Sequence, residues 1–169
     1  MTHYYAGIGS RNTPIDLQLK MKTIASQLAL KQWILRSGGA QGADSAFESG
    51  CDSVSGEKQI FIPWNGFNGR YAGGSYIVPP VRQDLVELYH PHPYMSAGAL
   101  KLQSRNSYQV LGHDLCSYSS FVICWTPDGK DSGGTGQAIR IARDYDIRVY
   151  NLHSAVDTNQ LVEVFELTL

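Results

Sequence analysis

The sequence predicts an α/β protein: a doubly wound parallel sheet of about five or more strands with helices on both faces. Three observations carry this. First, three glycine-rich turns, Gly7-Ile8-Gly9-Ser10-Arg11, Gly38-Gly39-Ala40-Gln41-Gly42 and Gly133-Gly134-Thr135-Gly136, each follow a β-like apolar run and precede a helix-like segment. Second, strand-like and helix-like stretches alternate along the chain, the pattern of a parallel sheet whose ligands sit at the carboxyl ends of its strands. Third, Ser120 to Trp125 is nearly continuously apolar, as a strand buried on both faces requires.

His3 to Ile8 reads as the first strand. Thr13-Pro14 offers an N-cap and a first-turn proline to a helix that carries Leu17, Met21, Ile24 and Leu28 on one face. Trp33-Ile34-Leu35 opens a second strand, and Ala43 to Gly50 a short helix with Gly50 as its C-cap. Lys58 to Ile62 makes a third strand. Residues 63 to 80 are too long and too glycine-rich for an ordinary connection and read as a lid or ligand-contacting loop. After the breaker Pro91-His92-Pro93, the spacing of Ala97, Leu100, Tyr108, Leu111 and Leu115 predicts one helix over Ser96 to Leu115. Ser120 to Trp125 is the fourth strand, Gly136 to Tyr145 a helix, and Arg148 to Leu152 the fifth strand. Ala155 to Leu167 closes the chain as a helix with Leu161, Val164 and Phe165 inward.

The 169 residues, 43% hydrophobic, suit one domain over 1–169 with a sizeable core. Lys and Arg total 14 against 15 acids, so no broad basic surface is available for a phosphate backbone, and nucleic acid is disfavoured as a partner. Cys51, Cys116 and Cys124 are odd in number and lack a Cys-x-x-Cys pair, which argues against a disulfide framework or zinc knuckle. His90, His92 and His113 do not make a metal cluster, so no metal and no resident cofactor are expected. No signal peptide or membrane span is read, and a cytoplasmic location is expected.

The glycine turns carry the chemistry. A strand-to-helix turn without side chains lets the backbone approach a ligand, and the following helix offers unpaired N–H groups to an anion. The kinase and GTPase phosphate loop is absent, and Gly7-Ile8-Gly9 lacks a third glycine where Asn12 stands. Tyr5 to Arg11 together with Arg36 to Asp44 resembles the first half of the DNA-processing protein A fold. Arg105-Asn106, Phe121 to Trp125 and Ser132 to Ala138 are similar to the later motifs of that group and of the "lonely guy" phosphoribohydrolases. Together these mark a resemblance to the SLOG superfamily over about residues 3 to 152, in its small single-domain form common in phage genomes.

The resemblance implies binding of nucleotides, nucleotide-derived signals or single-stranded DNA at the glycine edge, and in some members hydrolysis of an N-glycosidic bond. In the phosphoribohydrolase motif Pro-Gly-Gly-x-Gly-Thr-x-x-Glu, Ser132 stands for the proline, Gln137 for the threonine and Arg140 for the glutamate. An arginine cannot stabilise an oxocarbenium-like centre as a carboxylate does. Asp44 and Glu48, four residues apart on one helix face, are the substitute carboxylates. Asp44 also reads as an N-cap or a ribose ligand, and Glu48 as a solvated helix residue. Arg11 and Arg105 read as phosphate clamps or, respectively, as a surface charge and a helix salt bridge. Trp64, Phe67, Tyr71 and Tyr76 with Arg70 read as a base-stacking loop or as local packing.

The expected ligand contacts are therefore Gly9, Ser10, Arg11, Gly38, Gly39, Gly42, Asp44, Arg105, Ser132, Gly133, Gly134, Thr135 and Gly136. The function expected is binding of a nucleotide-derived small molecule (a nucleoside phosphate, an NAD derivative or a cyclic nucleotide signal), for sensing it or, in a phage, sequestering a host immune signal. Two alternatives stand beside it, an N-glycosidic hydrolase and a single-stranded-DNA accessory. A homo-oligomer is expected.

Overall fold

The computed structural model describes residues 1–91 and 94–169; the histidine and proline at 92 and 93 in the breaker segment lie outside it. Six parallel strands form one sheet in the order β4-β3-β2-β1-β5-β6. The strands are β1 (His3–Gly7), β2 (Trp33–Ser37), β3 (Lys58–Phe61), β4 (Tyr76–Ile77), β5 (Phe121–Cys124) and β6 (Arg148–Asn151). The helices are α1 (Ile15–Leu30), α2 (Ala43–Asp52), α3 (Gln83–Tyr89), α4 (Ala97–Leu111), α5 (Gly133–Asp144) and α6 (Ala155–Phe165). This is the doubly wound α/β architecture that the alternation predicts.

Alternation within the strands divides the core. Tyr5, Leu35, Ile60, Phe121, Ile123 and Tyr150 pack with Met21, Ile24 and Leu28 of α1, Phe47 of α2 and Leu161 of α6. Ala6, Ile8, Val122 and Cys124 point the other way, onto Val110 and Leu111 of α4 and Ala138, Ile139 and Ala142 of α5. β5 is buried at all four positions, which is why it reads as one apolar run. Strands β1 to β4 step outward in one direction, and the chain then crosses back to lay β5 on the other side of β1. The winding therefore reverses between β1 and β5, and the crevice at that switch is where such sheets bind ligands.

Several local expectations are corrected. Thr13 does not cap α1; its Oγ1 donates to the Ser10 carbonyl at 2.6 Å, and Pro14 occupies the N-cap position. Gly50 is not a C-cap but lies inside α2, where α1 crosses so closely that a Cβ would run into the Lys22 carbonyl. The 96–115 helix stops at Leu111, because Gly112 turns out of it at φ +86°. Helix α5 starts at Gly133 rather than Gly136, so its glycines form the first turn itself. Val164 is 61% exposed, whereas Leu161 is fully buried and Phe165 packs on the core. Strand β4 and helix α3 lie in stretches that the sequence marked as loop or left unassigned.

Candidate functional site

The cleft at the β1–β5 switch has a volume of about 450 Å3. The turn after β1 supplies Gly9, Ser10 and Arg11, and it is held against the end of β5 by Ile8 N–H to Ile123 O (3.0 Å) and Ser10 N–H to Trp125 O (3.2 Å). The N-terminus of α5 supplies Ser132, Gly133, Gly134 and Thr135. No side chain caps that helix, since the Ser132 hydroxyl is turned to donate to Asp128 Oδ1 at 2.8 Å. Gly133 and Gly134 are exposed. The helix thus presents its positive end to the cleft.

Asp44 and Arg105 form the floor, at 3% and 7% exposure. Asp44 is not an N-cap: Gly42 holds that position, and Asp44 Oδ2 instead accepts the Ala40 N–H at 3.2 Å and stands 3.9 Å from Arg105 Nη1. Burial pushes the Asp44 carboxyl above its ordinary value, against the pull of Arg105 and the Ala40 amide. Burial likewise lowers Arg105, against the attraction of Asp44, with nearby Arg11 adding to the lowering. Arg105 donates to the Gly38 carbonyl, so its charge is anchored to the second glycine turn. Arg11 is exposed at the mouth, and its guanidinium has no hydrogen bond or ion pair among the described residues.

Four expected contacts stand behind the cleft rather than in it. Gly38 receives Arg105 through its carbonyl, and Gly39 receives the Asn68 amide at 3.0 Å. Gly42, at φ +77°, packs so tightly under the first turn that a Cβ would lie 2.6 Å from the Arg11 carbonyl oxygen. Gly136 is buried against the Asp131 carbonyl. Arg140 does not line the cleft either; it donates to the carbonyls of Tyr89 (2.6 Å) and Asp131 (2.9 Å), bracing α3 and the preceding loop onto α5.

The reading of Glu48 as solvated is overturned. It is 3% exposed and accepts from Lys58 Nζ (2.9 Å), Tyr76 Oη (2.5 Å) and Arg70 Nε (2.7 Å). Burial works against its charged form, but the Arg70, Tyr76 and Lys58 hydrogen bonds outweigh it and hold the carboxyl below its ordinary value. Arg70 is therefore engaged by protein, and Tyr76 belongs to the edge strand. Trp64 packs edge-on to Phe67, and Tyr71 stays 65% exposed.

Residues that sequence reasoning missed include Asn12, Gln103, Asn106, Gln109 and Thr126, all lining the cleft. Asn106 Nδ2 donates to the Gly134 carbonyl at 3.1 Å, tying α4 to the α5 glycines. The signal was present: 103, 106 and 109 recur every three residues, which puts three carboxamides on one helical face. No group of three or more metal-binding side chains occurs among the described residues, and no described helix is long and apolar enough to cross a membrane.

The sheet order, the switch-point cleft and the glycine turns define an α/β Rossmann-like fold of the DNA-processing-A type. Solved structures share it. DNA processing protein A from Helicobacter pylori, solved for its single-stranded DNA binding mode, aligns at TM-score 0.58 and 18% identity, over 99% of this chain and 74% of that one. The molybdenum cofactor binding protein of the phototrophic bacterium Rippkaea orientalis aligns at 0.62 and 18%, over 98% and 86%. DNA processing protein A from Streptococcus pneumoniae aligns at 0.57 and 14%, over 98% of this chain but 56% of that one. No family model and no curated protein sequence matches the chain.

Proposed function

We propose that the chain binds a nucleotide-derived small molecule in the β1–β5 cleft, with its phosphate between Arg11 and the α5 N-terminus and its sugar near Asp44. The observation that carries this is the charge balance of the cleft: two guanidinium groups and an uncapped helix end face a single carboxylate, and Arg11 has no protein partner among the described residues. Such a surplus of donors fits a phosphate. Gln103, Asn106 and Gln109 offer both donors and acceptors to a heterocycle. A small-molecule cargo is also what the cofactor binding protein with this fold is named for. In this reading the chain works as one domain and a homo-oligomer, and in a phage it would sequester a host signal.

Hydrolysis of an N-glycosidic bond is the second reading, favoured by one observation: Asp44 is a buried carboxylate with a raised pKa at the cleft floor. Single-stranded DNA, bound by the Helicobacter pylori protein, is disfavoured by the net charge of −1.

Mass spectrometry of the natively purified protein, then a thermal-shift panel of nucleotides, NAD derivatives and cyclic dinucleotides with each hit assayed for turnover, separates the three. A stabilising ligand returned intact supports binding, and a cleaved one supports hydrolysis. A blank panel with a salt-sensitive gel shift moves the assignment to DNA. Gly134→Val serves as the blocking variant: a Cβ there meets only Gln103 Nε2, at 3.6 Å, so the fold survives while the branched side chain covers the helix end. Unchanged ligand binding in that variant sinks the phosphate assignment.

A further inference from the structure

A second hollow of about 440 Å3 lies at the other end of the strands, under the turn that carries the chain from α4 into β5. Tyr4, Arg36, Gln59, His113, Asp114 and Ser117 line it. Arg36 is among the largest side chains in the protein to be almost wholly buried, at 1% exposure. No Asp or Glu oxygen lies within 4.0 Å of it among the described residues.

Its hydrogen bonds go to neutral acceptors. Nε donates to Gln59 Oε1 at 2.9 Å, and Nη1 donates to the Ser117 carbonyl at 2.5 Å and Ser119 Oγ at 3.3 Å. The guanidinium face rests on the Tyr4 ring, 3.7 Å from its centre. Nη2 has no acceptor among the described residues. Gly112 packs against that nitrogen without a side chain; a Cβ there would lie 2.9 Å from Nη2. Asp114 forms no close ion pair with the cation: its carboxylate accepts the Cys116 and Ser117 amides (2.9 and 2.8 Å) and the Ser117 hydroxyl (2.7 Å), and it attracts Arg36 only from beyond 4.0 Å.

A buried charge without a close ion pair is costly, and burial here outweighs the attraction of Tyr4 and Asp114 and lowers the Arg36 pKa to about 10. We infer that this hollow binds a small organic carboxylate, held by Arg36 Nη2 beneath Gly112. A monoanion fits better than a dianionic phosphate, because one guanidinium arm is free and Asp114 repels further negative charge.

The test is a titration of the 15N-labelled full chain with acetate and, separately, with inorganic phosphate at matched ionic strength, following backbone amides. Acetate is expected to shift Gly112 and Ser117 along a saturating curve, while phosphate leaves them in place. Arg36→Gln is expected to abolish the acetate response. Arg36→Lys keeps the charge without the Nη2 arm and is expected to weaken the response about tenfold. Shifts at Gly112 and Ser117 that are absent or never saturate in the unmodified protein overturn the proposal, even where neither variant folds. A response to phosphate in place of acetate overturns the carboxylate assignment. Gly134 and Thr135 report the first cleft independently in the same spectra.

Discussion

Asp44 and Glu48 stand one turn apart on α2, each 3% exposed, and their surroundings are opposite. Glu48 is saturated: two cations and a phenol close on its two oxygens. Asp44 faces one buried arginine at 3.9 Å, with a second arginine and an open helix end beyond. The first cluster has nothing left to give a ligand. The second has donors to spare. Buried charge by itself does not mark a functional site; the unspent hydrogen-bonding capacity around it does.

The largest effect that tests this contrast is on stability. Glu48→Gln leaves Arg70, with its side chain 16% exposed, facing a neutral amide, while Lys58 keeps Asp52 at 2.7 Å, and it loosens the 63–80 segment that Arg70 and Tyr76 pin to α2. Removing one partner of a buried ion pair costs about 3 kcal/mol. Urea unfolding is expected to show a loss of that size. A loss under about 1 kcal/mol would mean that the cluster is solvated and the contrast is false.

The reason Glu48 misleads a reader of the sequence is physical. Its partners Lys58, Arg70 and Tyr76 come from 10, 22 and 28 residues away, so nothing local distinguishes it from an exposed helical glutamate. The same non-locality hides β4: Tyr76 and Ile77 become a strand only because Ile60 and Phe61 are beside them. Helix α3 has seven residues and one buried side chain, too few for a period. Where the pattern is local, the sequence suffices. The β5 run, the face of α1 and the three glycine turns all register directly, and Ser10, Arg11, Asp44, Gly133 and Gly134 do meet at one cleft. The carboxamides of α4 register only as a spacing, since that helix is legible from its apolar positions while its buried positions include Ser104, Asn106, Ser107 and Gln109.

Arg11→Ala sharpens the comparison from the other side. With no protein partner to lose, its stability is expected to stay within about 0.5 kcal/mol of the parent. Binding of whichever phosphate ligand the thermal-shift panel identifies is expected to weaken about 10- to 100-fold, the worth of a charge-assisted hydrogen bond. Calorimetric titration beside urea unfolding reads both. A variant that unfolds easily but binds normally would reverse the roles of the two clusters.

The smallest effect is a difference of sign in the dependence on pH. The Glu48 carboxyl is held below its ordinary value in the folded state, so its stabilisation is complete above the unfolded-chain pKa of about 4.3 and is lost as pH falls through the folded value. Asp44 is held above its ordinary value, so the folded protein takes up that proton first. Its contribution is complete below the unfolded pKa of about 3.9 and is lost as pH rises through the folded value. Urea midpoints measured across this range are therefore expected to respond in opposite ways to the two neutralising substitutions. Glu48→Gln flattens the acid limb, and Asp44→Asn removes the decline on the side approaching neutrality. Changes of the same sign would show that the two carboxylates share one electrostatic environment, and the division of α2 into a closed end and an open end would then fail.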